Sequence, residues 1–206
     1  MKKKKLRSGY TTGACAAAAA KASVATLLTH QFSKTVEIPF PAGQRVVFSI
    51  TAQSATEEDG KGVKSSVLKD AGDDPDVTNG AVIESTAIFA EKLLPGAEAV
   101  RIYGGRGVGT VTKKGLAIPV GEAAINPVPR QMIRDAVAEA FTDSGEVQKK
   151  VLEITVSIPQ GEELALKTLN HRLGIVGGLS VLGSTGIVRP ISADAWTATI
   201  SAGMDV

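Results

Sequence analysis

"LRSGYTTGACAAAAAKA", residues 6–22, is the stretch on which the reading of this chain turns. A polar Gly-Thr-Thr-Gly turn runs directly into alanine, the strongest helix former. Thr11 or Thr12 can cap, so the pattern predicts a helix from Gly13 to about Thr29. Such a helix carries almost no side chain. Either a flat ligand or another backbone lies close against it, or the small residues serve tight helix–sheet packing. The turn before it faces the positive end of the helix dipole, where free N–H groups make an anion site or simply an ordinary cap. Cys15 among the alanines reads as a small buried residue rather than a nucleophile. It is the single cysteine of the chain, so no internal disulfide forms, which fits a reducing compartment.

Working outward, "TVEIPF" and "RVVFSIT" read as two strands joined by Pro41-Ala42-Gly43. "ATEEDGKG" is a loop tip. "GVKSSVLKD" starts as a strand and runs into the polar loop "DAGDDPDVTNG", and "AVIESTAIF" is a further strand. "AVRIYGGRGVG" is a strand ending in glycine, and "GLAIPVGEAAINPVPR" is irregular. Pro129 opens an amphipathic helix over about Arg130–Phe141, with Ile133, Val137, Ala140 and Phe141 on one face and Asp143-Ser144-Gly145 as its stop. "VLEITVSIP" is a strand, "GEELALKTLN" a short helix, and "LGIVGGLSVLGSTGIV" a buried strand entering a glycine turn. "SADAWTATISAGM" forms a last helix with Ser192 as cap and Asp194 in its first turn. The mixed order predicts α+β for roughly the first 160 residues, followed by a strand–glycine–helix unit of α/β character.

The 206 residues allow one large or two small domains. Hydrophobic content of 43% with 21% charged residues is that of a folded chain rather than a disordered one. A net charge of +2 and 4% aromatics argue against nucleic-acid binding, which draws on a basic excess and stacking platforms. "MKKKK" before an alanine run imitates a secretory signal, but the polar turn and Lys21 interrupt it. No stretch has the length of a membrane span. The expectation is a cytoplasmic protein.

Four loops carry candidate chemistry. "GYTTG" is the anion-site candidate already described. "GGRGVG" (Gly104–Gly109) has Thr110 where a dinucleotide fingerprint needs glycine, leaving a clamp with Arg106 toward an anion, or a hairpin-like turn. "GLSVLGST" (Gly178–Thr185) misses the P-loop pattern because Ser184 stands where lysine belongs, which argues against a triphosphate. "DAGDDPD" (Asp70–Asp76) fails as an EF-hand and is either a solvated loop or a site for a cation, an ammonium or a polar network. His30 and His171 have no metal spacing to each other or to Cys15, so no metal site is expected.

Together these loops resemble the CbiD family, the cobalt-precorrin-5B C(1)-methyltransferases of anaerobic cobalamin biosynthesis. The resemblance rests on "LRSGYTTGACAAAAAKA", "LKDAGDDPDVTNGA", "GGRGVGTVTKKGLAIPVGEAAINPVPRQMI" and "LNHRLGIVGGLSVLGSTGIVRPIS", in order from residue 6 to 192. Arg106 and His171 depart from the family's usual Glu and Pro. The resemblance implies methyl transfer from S-adenosylmethionine to C-1 of a cobalt corrinoid, giving cobalt-precorrin-6A. The implied fold is an α+β domain like domain 2 of ribosomal protein S5 (residues 1–168) joined to a truncated Rossmann-like α/β domain (169–206). The implied substrate is a flat macrocycle fringed with carboxylates. Thr11, Thr12, Gly13, Asp73, Asp74, Asp76, Gly104, Gly105 and Arg106 are its candidate contacts. Gly177, Gly178, Gly183, Ser184, Thr185 and Gly186 are the candidate contacts of the methyl donor, following the rule that ligands sit past the end of a buried strand. No catalytic base is identified. A non-catalytic corrinoid- or adenosylmethionine-binding fragment is the alternative. The strand over Ile175–Leu182 is expected to lack partners, exposing Val176, Leu179, Val181 and Leu182 and promoting homo-oligomers or local instability.

Overall fold

The computed structural model describes residues 6–56, 61–190 and 193–204. In chain order the elements are β1 (Gly9–Tyr10), α1 (Thr12–Thr29), β2 (Thr35–Pro39), β3 (Arg45–Ser49), β4 (Ala52–Ala55), β5 (Gly62–Leu68), β6 (Val82–Lys92), β7 (Val100–Gly104), β8 (Thr110–Val111), α2 (Pro127–Ser144), β9 (Lys150–Ser157), α3 (Gly161–Ala165), β10 (Ile175–Val176), β11 (Ile187–Val188) and α4 (Ala193–Met204). A five-stranded sheet has the order β4-β5-β6-β9-β7. All its pairs are antiparallel except β7 with β9, the parallel pair that α2 connects. A mixed sheet with helices confirms the α+β class. No described helix is long and apolar enough to cross a membrane.

The alanine helix is the centre of the fold. Thr11 caps it, its hydroxyl accepting from the Ala14 N–H at 3.2 Å. Ala14 to Ala20 have no exposed surface. The helix is clamped between α2 and the sheet strands β5 and β6. With methyl groups as its only apolar side chains there, both neighbours approach closely. Met132, Ile133, Ala136, Val137, Ala140 and Phe141 of α2 supply the bulk that α1 lacks. Lys21, the one charge in the run, is buried yet paired. Its ammonium meets Glu139 at 2.9 Å and Asp143 at 3.0 Å on α2 and donates to the Glu37 carbonyl on β2. A buried charge without such partners would be far more costly. Cys15 is buried in the same run, and burial pushes its thiol up to about 12, which agrees with a packing role.

Several expectations need correction. Helix α2 starts at Pro127, not Arg130: Asn126 takes the N-cap position without a side-chain hydrogen bond, and Pro127, which lacks an N–H, suits a first helical position whose N–H would have no acceptor. Strand β4 has no clear periodicity of its own; pairing with β5 makes it a strand. Helix α3 stops at Ala165, short of the decapeptide read as helical. The Ser192 cap lies outside the described residues. The largest difference concerns residues 175–182. Only Ile175 and Val176 form a strand, and the chain then turns at Gly177, whose φ is 82°. Leu179 and Val181 are buried rather than exposed, and their backbones are paired. Leu179 exchanges hydrogen bonds with Gly107 and Gly109 at 2.9 Å, and Val181 with Ala124 at 2.8 Å and Asn126 at 3.0 Å. Of the four residues expected to be sticky, Val176 and Leu182 are exposed.

Candidate functional site

The four candidate loops are joined around the N-terminal end of α1: the 182–186 turn and the acidic loop bond to residues 7–13, and "GGRGVG" bonds to Leu179. The 182–186 turn closes on the helix start. The Gly13 N–H donates to the Leu182 carbonyl at 3.1 Å, and the Thr11 N–H donates to the Gly186 carbonyl at 3.0 Å. Thr12 and Leu182 are locked reciprocally: the Thr12 hydroxyl donates to the Leu182 carbonyl at 3.2 Å and accepts from its N–H at 3.0 Å. The Gly13 N–H, expected to face an anion, is therefore satisfied by the chain itself, and Thr11 and Thr12 are buried. Strand β1 pairs with β11 immediately beyond.

Glycine spacing has the same origin. A Cβ on Gly178 would stand closer than 3.0 Å to the Gly107 carbonyl and to the Gly109 nitrogen. One on Gly183 would overlap Thr11, and one on Gly186 would overlap the ring of Phe40. Gly13 touches Pro129 in the same sense, so the two helix starts lie side by side. The close neighbour of Gly178 is the backbone of "GGRGVG". That loop is not a hairpin turn. It runs from β7 to β8 and lies against Leu179, while the Gly105 N–H donates to the Val156 carbonyl at 2.7 Å and the Arg106 carbonyl accepts from Ile158 at 2.8 Å.

The acidic loop does a different task. The Arg7 guanidinium grips Asp70 through two nitrogens, at 2.5 and 2.8 Å. Its backbone N–H donates to the Asp73 carboxylate at 2.7 Å. Arg7 holds the Asp70 carboxyl below its ordinary range. Both oxygens of Asp76 are taken, one by the buried Lys69 ammonium at 2.6 Å and the other by the Thr78 N–H and hydroxyl. Burial pushes the Asp76 carboxyl up, but these bonds outweigh it and hold it low. Of the alternatives for this loop, the polar network is the one formed: it clasps residues 7–10 to the sheet. Asp74 is half-buried and Asp73 exposed. Among the described residues no group of three His, Cys, Asp or Glu could hold a metal ion.

Of the candidate residues in these two loops, Gly104 and Arg106 on one side and Gly177, Ser184 and Thr185 on the other are open to solvent. Arg106 has no ion pair, and Ser184 no side-chain hydrogen bond, among the described residues. The Thr185 hydroxyl is engaged with Ile187. A residue the sequence reading passed over is Arg130. Its guanidinium donates to the carbonyls of Ile125 at 2.9 Å, Ile102 at 3.2 Å and Ala123 at 3.5 Å, pinning the end of β7 to the segment that pairs with Val181. An arginine in the first turn of a helix, where a basic residue gains nothing from the dipole, was the available signal. A cleft of about 470 Å³ lies elsewhere, at the opposite end of α1, and none of these loop residues lines it. The loops, not the cleft, match the residues that carry the resemblance.

The fold and site define a class: an α+β domain in which glycine turns and a bare helix are welded together, leaving a shallow polar edge. The CbiD family model matches residues 1–190, and the chain belongs to the CbiD family. It is 58% identical to a cobalt-precorrin-5B C(1)-methyltransferase of Desulfotalea psychrophila, over 99% of this chain and 55% of that protein. It is 56% identical to the protein of the same name from Geobacter sulfurreducens, over 100% of this chain and 56% of that one. The chain thus spans about half the length of the curated relatives it matches. The crystal structure of cobalamin biosynthesis protein CbiD from Archaeoglobus fulgidus superposes with a TM-score of 0.65 at 30% identity, over 96% of this chain and 59% of that one.

Proposed function

We propose that this chain takes part in S-adenosylmethionine-dependent methylation of C-1 of cobalt-precorrin-5B. The observation that carries this reading is the match of the entire chain, loops included, to relatives of that name. Residues 1–168 are the S5 domain 2-like substrate unit in this reading, and residues 169–206 begin the Rossmann-like unit.

The substrate is a flat ring with a carboxylate rim. Arg106 suits it: an exposed arginine without a partner among the described residues offers a guanidinium fork to a carboxylate. Gly104 and Gly105 beside it add no side chains that would hold a flat ring away. S-adenosylmethionine, when bound, supplies an electrophilic methyl on a cationic sulfur. Gly177 and Ser184 fit a contact with it, since Gly177 has open space around its Cα and the Ser184 hydroxyl is exposed. Gly178, Gly183 and Gly186 spend their space on the chain itself. The work of these residues is binding and orientation, and alignment of reacting atoms is worth about 7–11 kcal/mol in ideal intramolecular cases. No proton transfer is assigned to a residue.

Anaerobic incubation of the chain with both substrates, read by mass spectrometry, tests the activity. One added methyl is expected. Bound adenosylmethionine without product would make the chain a binding module, and neither binding nor product would overturn the reading. Arg106→Ala should weaken corrinoid binding roughly tenfold, the scale of a charge-assisted hydrogen bond, at an unchanged melting temperature.

A further inference from the structure

Strands β8 and β10 form a short antiparallel ladder in which Val111 and Ile175 are buried while their neighbours Thr110 and Val176 face solvent. Past one end of this ladder the two segments lead to Arg106 and Gly177, and past the other to Lys113 and Arg172. The second end is tightly laced. The Gly174 carbonyl accepts from the Thr112 N–H at 2.7 Å and from its hydroxyl at 2.8 Å. Gly174 closes a turn with a φ of 73°, its N–H donating to the His171 carbonyl at 3.3 Å, and the Arg172 N–H donates to the Leu169 carbonyl at 3.0 Å. The Lys113 stem lies on Gly174, where a Cβ would stand 2.6–2.9 Å from three of its carbons. With its methylenes held there, Lys113 presents its ammonium on a short free arm. Lys113, Lys114 and Arg172 are exposed and have no ion pair among the described residues. The carboxylates on the same segments, residues 105–125 and 161–181, are Glu122, Glu162 and Glu163. Glu122 pairs with Arg130 at 3.5 Å and Glu163 with Lys167 at 3.9 Å, which leaves Glu162 against the three cations.

We infer that Lys113, Lys114 and Arg172 form a second carboxylate site for the corrinoid, at the end of the ladder away from Arg106. Arg172 offers a planar fork and the lysines point charges. Between the two ends, Val176, 56% exposed, and Gly177, with open space around its Cα, leave a surface on which a flat ring can lie. Lys113 stands seven positions after Arg106, at most about 25 Å of extended chain, and the positive φ of Gly107 bends that path. A macrocycle with carboxylates around its rim meets both ends, whereas a ligand with one charge meets one. The inference rests on the proposed corrinoid substrate and adds to it contacts outside the glycine turns.

The test is isothermal titration of the chain with dicyanocobyrinic acid, a corrin ring fringed with carboxylates, and with dicyanocobinamide, the same ring fringed with amides. The wild-type chain should bind the acid more tightly. Lys113→Met, which keeps the methylenes over Gly174, and Arg172→Gln should each weaken the acid about fivefold, the upper end for an exposed ion pair, and leave the amide unchanged. Lys150→Met, at the start of β9 and far from the ladder, should change neither. Lys113 and Arg172 are exposed, so melting temperatures should stay at the wild-type value, and Arg172→Gln decides if Lys113→Met melts lower. Equal wild-type affinity for the two rings, unchanged acid affinity in Arg172→Gln, equal losses for acid and amide, or the same loss in Lys150→Met would each overturn the inference while leaving the corrinoid reading in place. A wild-type chain that binds neither ring would overturn both.

Discussion

Gly178→Ala tests whether the glycine turns are shaped by each other or by a ligand. A Cβ at this position would stand 2.9 Å from the Gly109 nitrogen and closer still to the Gly107 carbonyl, where ordinary contact begins at 3.4 Å. The two backbones would have to separate by close to an ångström. Gly107 cannot retreat, because Gly161 packs on it and the Ile158 N–H holds the preceding carbonyl at 2.8 Å. The separation stretches the two 2.9 Å bonds between Leu179 and the Gly107–Gly109 turn beyond about 3.6 Å, where a hydrogen bond ceases. Leu179 is 2% exposed, so water does not replace them. Two lost bonds with buried groups left unsatisfied cost about 3–5 kcal/mol. At about 2–4 °C per kcal/mol for a chain of this size, the melting temperature should fall by roughly 10 °C or more. Gly177→Ala is the control. It meets nothing within 4 Å and bears the cost of a positive φ alone, about 1 kcal/mol. Circular dichroism melts of both variants decide the matter. A Gly178→Ala chain melting within about 2 °C of wild type would refute the packing argument and return the glycine to a ligand role.

Other perturbations probe the core. Cys15 should resist iodoacetamide at pH 8 in the native chain and react only on unfolding, since burial holds its thiol at about 12; rapid labelling of folded protein would contradict this. Arg45, with Lys21 assisting, holds the Glu139 carboxyl at about 2 against an ordinary 4.5. A lowered carboxylate stabilises the fold above the higher value, and that stability is lost as pH falls toward the lower one. Glu139→Gln should therefore flatten the stability loss between about pH 4.5 and pH 2 in urea titrations, and an unchanged slope would count against the pairing. The Ser85 hydroxyl is buried without a partner among the described residues, whereas Ser23 donates to the Ser85 carbonyl at 2.7 Å. Ser85→Ala should be neutral or stabilising and Ser23→Ala destabilising by about 1 kcal/mol; the reverse order would refute the bond pattern.

Local chemistry made much of this protein readable from its residues alone. Thr11 before an alanine run is a cap and a helix wherever it is placed, and Pro41-Ala42-Gly43 between two apolar runs is a turn. Val36, Ile38 and Ile133 lie on buried faces because side-chain period follows backbone period. The family, too, was legible, because the loop segments are long and ordered along the chain. The partner of each polar group was not legible. Nothing local distinguishes an N–H awaiting an anion from one already bonded to Leu182, a residue 169 positions beyond Gly13. The glycines of "GLSVLGST" look the same whether a cofactor or Gly107 occupies the space they leave. Asp76 looks like a ligand until Lys69 and Thr78 take both its oxygens. Propensity and period act over a few residues, whereas close approach and hydrogen-bond saturation depend on which distant segments meet. Tertiary structure therefore decided that the candidate loops first bind one another, and that Arg106, Gly177 and Ser184 are among the groups left facing outward.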